Sequence, residues 1–231
     1  MSTVRGVIFD KDGTLFDFAR TWEAWAQALL QRLAGPEGDA AALGACIGFD
    51  TATARFAPDS LVIAGTPDEI AEALAAALPH MNRVQIVALL NEEAAQAPQA
   101  EAVPLVPFLS GLRAGGLMLG VATNDAETPA RAHLQTAGAL DLFDFVVGSD
   151  SGHGAKPGPG QLLAFCQTTG LEPGEVLMVG DSTHDLLAGR AAGMRGIGVL
   201  TGMATADTLA PHAVAVFDNI GHLPAWIAAQ G

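Results

Sequence analysis

The stretch FDKDGTL, residues 9–15, decides the fold of this chain, because a short apolar run ends there abruptly in polar residues. An uninterrupted apolar run that is too short for a helix is typical of a strand in a parallel sheet covered on both faces. The stretch places two carboxylates, Asp10 and Asp12, two residues apart at a glycine-containing turn. By itself, the Asp12-Gly13 pair could be only a turn, so its meaning depends on the rest of the chain.

Three further apolar runs have the same form and predict further strands. They cover residues 117–122, 145–147 and 176–179. Between them lie helical patterns, one with Pro129 behind an N-cap at Thr128 and one over residues 183–192. The resulting strand–helix alternation, from about residue 105 onward, predicts a doubly wound, Rossmann-like α/β sheet.

Residues 17–103 have a different pattern and predict a mostly helical block inserted after the first strand. Two tryptophans and two leucines fall at helical spacing between residues 22 and 33. The sequence TPDE at residues 66–69 has the form of a capping box with proline at the first helical position. Apolar residues between 84 and 90 indicate another helix.

The composition indicates a globular protein that is a poor candidate for binding polyanions. Half of the 231 residues are apolar and 16% are charged. The net charge of −14 goes with only two lysines, Lys11 and Lys156, so nucleic acid and anionic membranes are poor partners. No apolar stretch approaches the roughly 18 residues that cross a bilayer, and the early apolar run leaves no room for a signal peptide. With two distant cysteines and no zinc-ligand spacing, we expect a cytoplasmic protein.

The carboxyl ends of the predicted strands bring reactive groups to one edge of the sheet, where open α/β sheets bind their ligands. Asp10 can attack phosphorus when a metal ion screens the phosphate charge, and Asp12 can exchange protons with the leaving oxygen and then with water. Asp181 can share Mg²⁺ with Asp10, and Asp185 lies one helical turn further on in support. Alternatively, Asp181 or Ser182 is only a helix N-cap.

One neutral group, Thr123, and one cationic group, Lys156, complete this edge of the predicted sheet. Thr123 and the backbone N–H groups that follow it lie where a helix begins, which is a suitable site for a phosphoryl oxygen. Lys156 is followed by a proline that restrains its backbone, and this chain hardly uses lysine elsewhere. We therefore expect Lys156 to stabilise charge beside the nucleophile.

In order and combination, these motifs resemble the haloacid dehalogenase (HAD) superfamily, and more narrowly its phosphoglycolate-phosphatase-like members. The resemblance rests on residues 9–15, 122–124, 156–157 and 180–185. It implies a HAD-like core over residues 1–16 and 104–231 and a helical cap over residues 17–103. It also implies a Mg²⁺-dependent phosphatase acting on a small phosphorylated metabolite, as a monomer or homodimer.

The resemblance also implies a role for each matching residue. Asp10 would be the nucleophile and a metal ligand, and Asp12 the general acid and base, with its backbone carbonyl on the metal. Asp181 would bind the metal, with Asp185 in support. The remaining residues would hold the phosphoryl group and its charge: Thr123, Asn124 and Lys156. Lys11 departs from the pattern, since relatives commonly carry an apolar residue there, and we expect it to point toward solvent or a neighbouring acid.

The alternatives differ in the chemistry they need. Dehalogenation needs no acid at Asp12, and phosphonate hydrolysis needs a cap lysine, which is absent between residues 12 and 155. A sugar-phosphate mutase shares the same core residues and stays open, and a phospho-acceptor signalling domain is less favoured. A phosphoglycolate-like ester is the favoured substrate, and its carboxylate would meet Arg20 and Arg55, although either arginine could equally lie on a solvated face.

Overall fold

A six-stranded parallel sheet organises the chain in this computed structural model, which describes residues 3–36 and 38–230. Within those residues the strands are β1 (Gly6–Phe9), β2 (Phe49–Asp50), β3 (Arg55–Phe56), β4 (Met118–Ala122), β5 (Phe145–Val147), β6 (Val176–Gly180), β7 (Arg195–Val199) and β8 (Ala215–Phe217). The large sheet has the order β5-β4-β1-β6-β7-β8 with every pairing parallel, while β2 and β3 form a separate antiparallel pair. The predicted α/β fold is therefore confirmed.

The central strand β1 marks the position where the order of the strands reverses. It pairs with β4 on one side and β6 on the other, so that Val7 lies between Leu119 and Leu177. The chain continues outward to β5 on the first side and to β7 and β8 on the second. In open α/β sheets, the crevice outside the carboxyl ends of the strands at this position binds the ligand. Asp10 follows β1 directly and so lies at that crevice.

Helices cover both faces of the sheet, and a further group of helices packs apart from it. In the described residues they are α1 (Phe18–Ala34), α2 (Ala40–Ile47), α3 (Pro67–Ala75), α4 (Arg83–Ala95), α5 (Leu105–Ala114), α6 (Glu127–Thr136), α7 (Gly160–Thr169), α8 (Thr183–Ala192), α9 (Ala206–Leu209) and α10 (Leu223–Ala228). Alternate residues of a strand point to opposite faces: Phe9 packs in one cluster with Leu109 of α5, and Ile8 in another with Phe165 of α7. No helix in this described part combines the length and the apolar character needed to cross a membrane.

Helices α1 to α4 form a hydrophobic cluster of their own, which includes Trp22, Trp25 and Leu29. The helices predicted in this part of the sequence are confirmed. The capping box is present as well, because Thr66 Oγ1 accepts from the backbone N–H of Glu69 while the Glu69 carboxylate accepts from that of Thr66. The indole rings of the two tryptophans meet edge to face at 4.9 Å.

The start of α6 was predicted wrongly. The helix begins at Glu127 with Ala126 as its N-cap, so Thr128 and Pro129 lie inside its first turn. The backbone N–H of Glu127 donates to Asp150 Oδ1 at 2.8 Å. A carboxylate that follows β5 thus satisfies this N–H group, and a contact between distant parts of the chain cannot be found in the local sequence.

Candidate active site

A pocket lies between the carboxyl ends of β1, β4 and β6 and the helices α1, α3 and α4. The structure brings seven of the predicted site residues into its lining: Asp10, Asp12, Thr123, Asn124, Lys156, Asp181 and Asp185. Ser182 and His184 also line the pocket. The sequence-based prediction that these strand ends converge therefore agrees with the geometry.

Lys156 lies between two carboxylates at the floor of this pocket. Its ammonium group donates to Asp10 Oδ1 and to Asp185 Oδ1, both at 2.6 Å, and all three side chains are buried. Burial lowers the pKa of Lys156, but attraction to Asp10 and then to Asp185 outweighs it and raises the pKa above its usual value. The lysine is therefore a fixed positive charge beside the predicted nucleophile.

The carboxylates of Asp10, Asp181 and Asp185 form a cluster in which one oxygen from each lies within 4.8 Å of the others. Burial raises the pKa of Asp10 to about 7 even though Lys156 opposes the shift. Burial, followed by repulsion from Asp10 and Asp185, also raises the pKa of Asp181. Buried acids that repel one another fit a divalent cation, because it restores their ionised forms, and oxygen atoms are the ligands that Mg²⁺ prefers.

Asp185 supports this cluster through contacts on both of its oxygens. Oδ1 accepts from Lys156, and Oδ2 accepts from the backbone N–H and the hydroxyl of Ser182 at 3.0 and 2.7 Å. Ser182 is the N-cap of α8, which begins at the predicted residue, Thr183. Asp185 is thus held rigidly beside Asp181 and Asp10 by groups that already use its lone pairs.

The turn after β1 packs tightly against Asp181. Gly13 has a φ of 81°, which favours glycine, and a Cβ atom there would collide with the Asp181 carboxylate. A Cβ atom at Gly202 would collide with the same carboxylate. Glycine at both positions therefore permits the close approach that brings Asp181 to the end of β1.

Asp12 is held by two donors that come from different parts of the fold. Trp22 Nε1 donates to Asp12 Oδ1 at 2.8 Å, so α1 contacts the turn directly. Lys11 Nζ lies 2.9 Å from Oδ1 and 2.8 Å from Oδ2. The expectation that Lys11 points to solvent was wrong, because the residue is fully buried, while the alternative of a neighbouring acid is correct.

Lys11 makes two further contacts that the sequence did not reveal. Its ammonium forms an ion pair with Asp125 Oδ2 at 3.1 Å and contacts His133 Nδ1 at 2.9 Å. Burial, together with the charge of Lys11, lowers the pKa of His133 to about 4, so this imidazole is neutral near pH 7. Since Nδ1 accepts from Lys11, Nε2 carries the proton and donates to the carbonyl of Ala94 at 2.7 Å. The scarcity of lysine was the one signal that could have identified this network.

Thr123 and Asn124 differ in how much of their side chains is free. Thr123 is buried, and its hydroxyl accepts from the backbone N–H of Asp125 at 3.1 Å. The Asn124 amide donates to the carbonyls of Ala64 and Lys156 and accepts from the Lys156 N–H. Asn124 therefore holds the loop that carries Lys156, and its side chain has no donor left for a substrate.

Arg20 and Arg55, predicted as substrate-binding residues, do not line the pocket. Both are exposed, and Arg55 forms an ion pair with Glu23 at 3.1 Å. On α1, the pocket-lining residues Phe18 and Trp22 are spaced by one helical turn, and Arg20 lies halfway between them on the opposite face. The sequence could show that these arginines were in the helical segment but not which way they faced.

Comparison with known proteins agrees with this geometry. The family model for haloacid dehalogenase-like hydrolases matches residues 4–193. The chain belongs to the HAD-like hydrolases. It is similar to a protein named probable phosphatase IndB from Dickeya dadantii, with 34% identity over 88% of this chain and 84% of the relative. It is also similar to a phosphoglycolate phosphatase from Nitrosospira multiformis, with 34% identity over 82% and 80% of the two chains.

Solved structures of HAD-like proteins share the fold. One is described as a predicted phosphoglycolate phosphatase from Haemophilus somnus, with a TM-score of 0.74, 20% identity, and coverage of 98% of this chain and 99% of that one. At this identity the likeness shows the fold alone. The predicted family is confirmed, and the names of the HAD-like relatives agree with the predicted enzyme class.

Proposed function

We propose that this HAD-like hydrolase is a Mg²⁺-dependent phosphatase that cleaves a small phosphate monoester through a phosphoaspartate at Asp10. The observation that carries the proposal is the position of Asp10, which contacts Lys156 at 2.6 Å and shares a buried carboxylate cluster at the pocket floor. Asp10, Asp181 and the backbone carbonyl of Asp12 would hold Mg²⁺, with Asp185 in support, and the ion would screen the charge on the phosphate. The relatives named as phosphatases support the same reaction class.

In the first step, an Asp10 oxygen attacks phosphorus and the bond from phosphorus to the ester oxygen breaks. Asp12, in its carboxylic acid form, gives its proton to the departing oxygen. Lys156 stabilises the negative charge on the transferring phosphoryl group, and Thr123 lies where it can donate to a phosphoryl oxygen. The products of this step are the alcohol and the phosphoaspartate.

In the second step, Asp12, now a carboxylate, takes a proton from a water molecule that attacks the phosphoaspartate. The bond between phosphorus and the Asp10 oxygen breaks, inorganic phosphate leaves, and both aspartates return to their starting states. Trp22 and Lys11 orient the Asp12 carboxylate through both of its oxygens. An acid at this position distinguishes phosphate-ester cleavage from dehalogenation.

We further propose that residues 17–103 are a cap that closes the pocket. Their separate hydrophobic cluster supports this, as do the two connections to the remainder of the chain. Those connections run side by side: the N–H of Asp17 donates to the carbonyl of Ala100 at 2.8 Å, and that of Ala102 to the carbonyl of Leu15 at 2.9 Å. A hinge of this kind would let the cap admit substrate and exclude water.

The test is release of inorganic phosphate from 4-nitrophenyl phosphate, with Mg²⁺ and with EDTA. We expect turnover only with Mg²⁺, no turnover in Asp10→Asn, and normal turnover in Asp141→Asn, a control at an exposed acid. Undiminished turnover in Asp10→Asn would refute the mechanism. Phosphoglycolate and sugar phosphates are the first metabolites to screen, and isomerisation without phosphate release would favour a mutase.

A further inference from the structure

We propose that the pocket selects phosphate esters whose leaving group is uncharged and largely apolar and carries a hydrogen-bonding group. This inference rests on the proposed phosphatase function and specifies its substrate class. It concerns the cap wall, defined as the pocket-lining residues that lie between positions 17 and 103. This wall faces the catalytic aspartates and would surround the part of the substrate beyond the phosphate.

The cap wall carries no charged side chain in the described structure. It is built from aromatic and aliphatic residues, among them Phe18, Trp22, Val62 and Ile70, and its one side-chain amide is Asn91. Burying an anion against such a surface is unfavourable unless a cation or several donors meet it. A leaving group with a carboxylate would therefore lose its hydration without gaining a partner.

The arginines of the cap lie elsewhere and have other partners. Arg32 pairs with Glu93, Arg55 with Glu23, and Arg83 with Asp68 and Glu72, while Arg20 is exposed. None of the four lines the pocket. The carboxylate of a phosphoglycolate-like ester, which the family resemblance favoured as substrate, therefore has no cap arginine to meet it in this pocket.

Neither Lys156 at the pocket floor nor Lys11, which is buried behind it, can meet a second anion. Lys156 contacts Asp10 and Asp185, and Lys11 contacts Asp12 and Asp125. Each ammonium already contacts two carboxylates. The other lining groups of the floor are Asp181, the polar side chains of Thr123, Asn124 and Ser182, and the imidazole of His184, so carboxylates outnumber bases there. A carboxylate on the leaving group would add to this negative charge, whereas a neutral group would not.

Two polar atoms in the cap wall lack a partner and indicate what the leaving group carries. Trp25 Nε1 and Asn91 Oδ1 are buried without a hydrogen bond, and both residues line the pocket. A buried donor and a buried acceptor without partners are unfavourable, and a ligand that pairs with them removes that cost. Because both atoms are inaccessible to solvent, a hydroxyl or amide group on the substrate reaches them through a small shift of the surrounding cap side chains, and then accepts from the indole N–H and donates to the amide oxygen.

The experiment compares esters that differ only in one remote group: benzyl phosphate, 4-(hydroxymethyl)benzyl phosphate and 4-carboxybenzyl phosphate. The intrinsic reactivity of the three is similar because the variable group is far from the ester oxygen. We expect kcat/KM for the hydroxymethyl ester to exceed that for the carboxy ester by at least about tenfold. Equal or faster hydrolysis of the carboxy ester would overturn the inference, as would a preference for phosphoglycolate over 2-hydroxyethyl phosphate.

Variants test the cap wall directly. Trp25→Phe keeps an aromatic ring, although a smaller one, and removes the N–H, so it should lower kcat/KM for the hydroxymethyl ester about fivefold more than that for benzyl phosphate. Val62→Arg adds a cation and should raise the relative rate for the carboxy ester. If neither variant changes the ratio between esters, the cap wall does not select the leaving group.

Binding separates this inference from the proposed function. Calorimetry on Asp10→Asn with Mg²⁺ measures the affinity for each ester without turnover. If the wild-type protein releases no phosphate from any ester, the proposed function fails, yet tighter binding of the hydroxymethyl ester than of the carboxy ester still supports the inference. If all esters are hydrolysed and bound equally, the phosphatase proposal stands and the inference on substrate class is refuted.

Discussion

Replacing Lys11 with methionine tests the buried charge network beneath Asp12. Methionine has a similar length and no charge, so the change removes the ammonium and leaves the volume almost unchanged. The ammonium lies 2.8 Å from Asp12 Oδ2 and 3.1 Å from Asp125 Oδ2. Without it, two nearby carboxylates have lost the cation between them, and the Asp125 side chain is only 11% exposed.

Breaking a buried ion pair from one side costs about 3–5 kcal/mol, because the remaining charge stays buried without its partner. In a chain of this size, about 1 kcal/mol corresponds to ~2–4 °C in Tm, so we expect Tm to fall by roughly 6–20 °C. The loss depends on pH. Burial already raises the pKa of Asp125 while Lys11 lowers it, so removing Lys11 raises that pKa further.

Proton linkage determines whether the stability loss grows or shrinks as pH rises. An acid whose pKa is higher in the folded state than in the unfolded state destabilises the fold as pH rises through the interval between the two values. The unfolded value is about 3.9. The defect of Lys11→Met should therefore be largest near pH 8 and smaller near pH 5, where Asp125 takes up a proton more readily.

The assay is thermal unfolding at pH 5 and pH 8 for four proteins: wild type, Lys11→Met, Asp125→Asn and the double variant. The double variant leaves no charge stranded at Asp125 and should recover much of the lost stability, giving a large coupling energy between the two positions. If Lys11→Met unfolds within about 0.5 kcal/mol of wild type at pH 8, the ion pair contributes nothing. An equal loss at both pH values that the second substitution does not relieve would contradict the reasoning too.

Three further predictions concern the turn after β1. Asp12→Asn should convert 4-nitrophenyl phosphate in a burst followed by slow turnover. The nitrophenolate leaves without a proton, whereas hydrolysis of the phosphoaspartate needs a base to activate water. Rapid-quench kinetics would show the burst. Trp22→Phe should lower kcat about tenfold with little change in KM, since the indole N–H holds Asp12 at 2.8 Å; steady-state kinetics beside an unchanged circular dichroism spectrum would check this. Gly13→Ala places a methyl group against Asp181 at a φ of 81°, so the Mg²⁺ concentration for half-maximal activity should rise at least severalfold, and an unchanged value would contradict the packing.

The sequence predicted the fold well because its signals were local. Uninterrupted apolar runs coincide with β1, β4, β5 and β6, and α8 spans the predicted residues, Thr183–Ala192. Signals that depend on distant contacts were missed. The start of α6 depends on Asp150, which lies beyond the next strand, and β7 and β8 gave no separate prediction.

The sequence predicted the site residues that directly follow strands. It could not predict which residues of the inserted segment face the pocket, because that depends on the direction of each side chain. Asp10, Thr123 and Asp181 follow three adjacent strands, so their convergence follows from parallel topology. Arg20 lies on α1 and Arg55 on β3, where the sequence gives no direction for the side chain relative to the pocket. The catalytic and binding roles of Asp10, Thr123 and Asp181 stay predictions that the variants test.

Each of the two lysines of this chain pairs with a different aspartate of the motif. Lys156 forms ion pairs with Asp10 and Asp185. Lys11 forms ion pairs with Asp12 and Asp125. The buried positions of Lys11 and Asp125 depend on each other. Without Asp125, the buried ammonium of Lys11 would have one carboxylate fewer to balance its charge, and without Lys11, the carboxylate of Asp125 would be buried without a cation. It follows that positions 11 and 125 should vary together: a relative with an apolar residue at the first has no cation to hold an acid at the second.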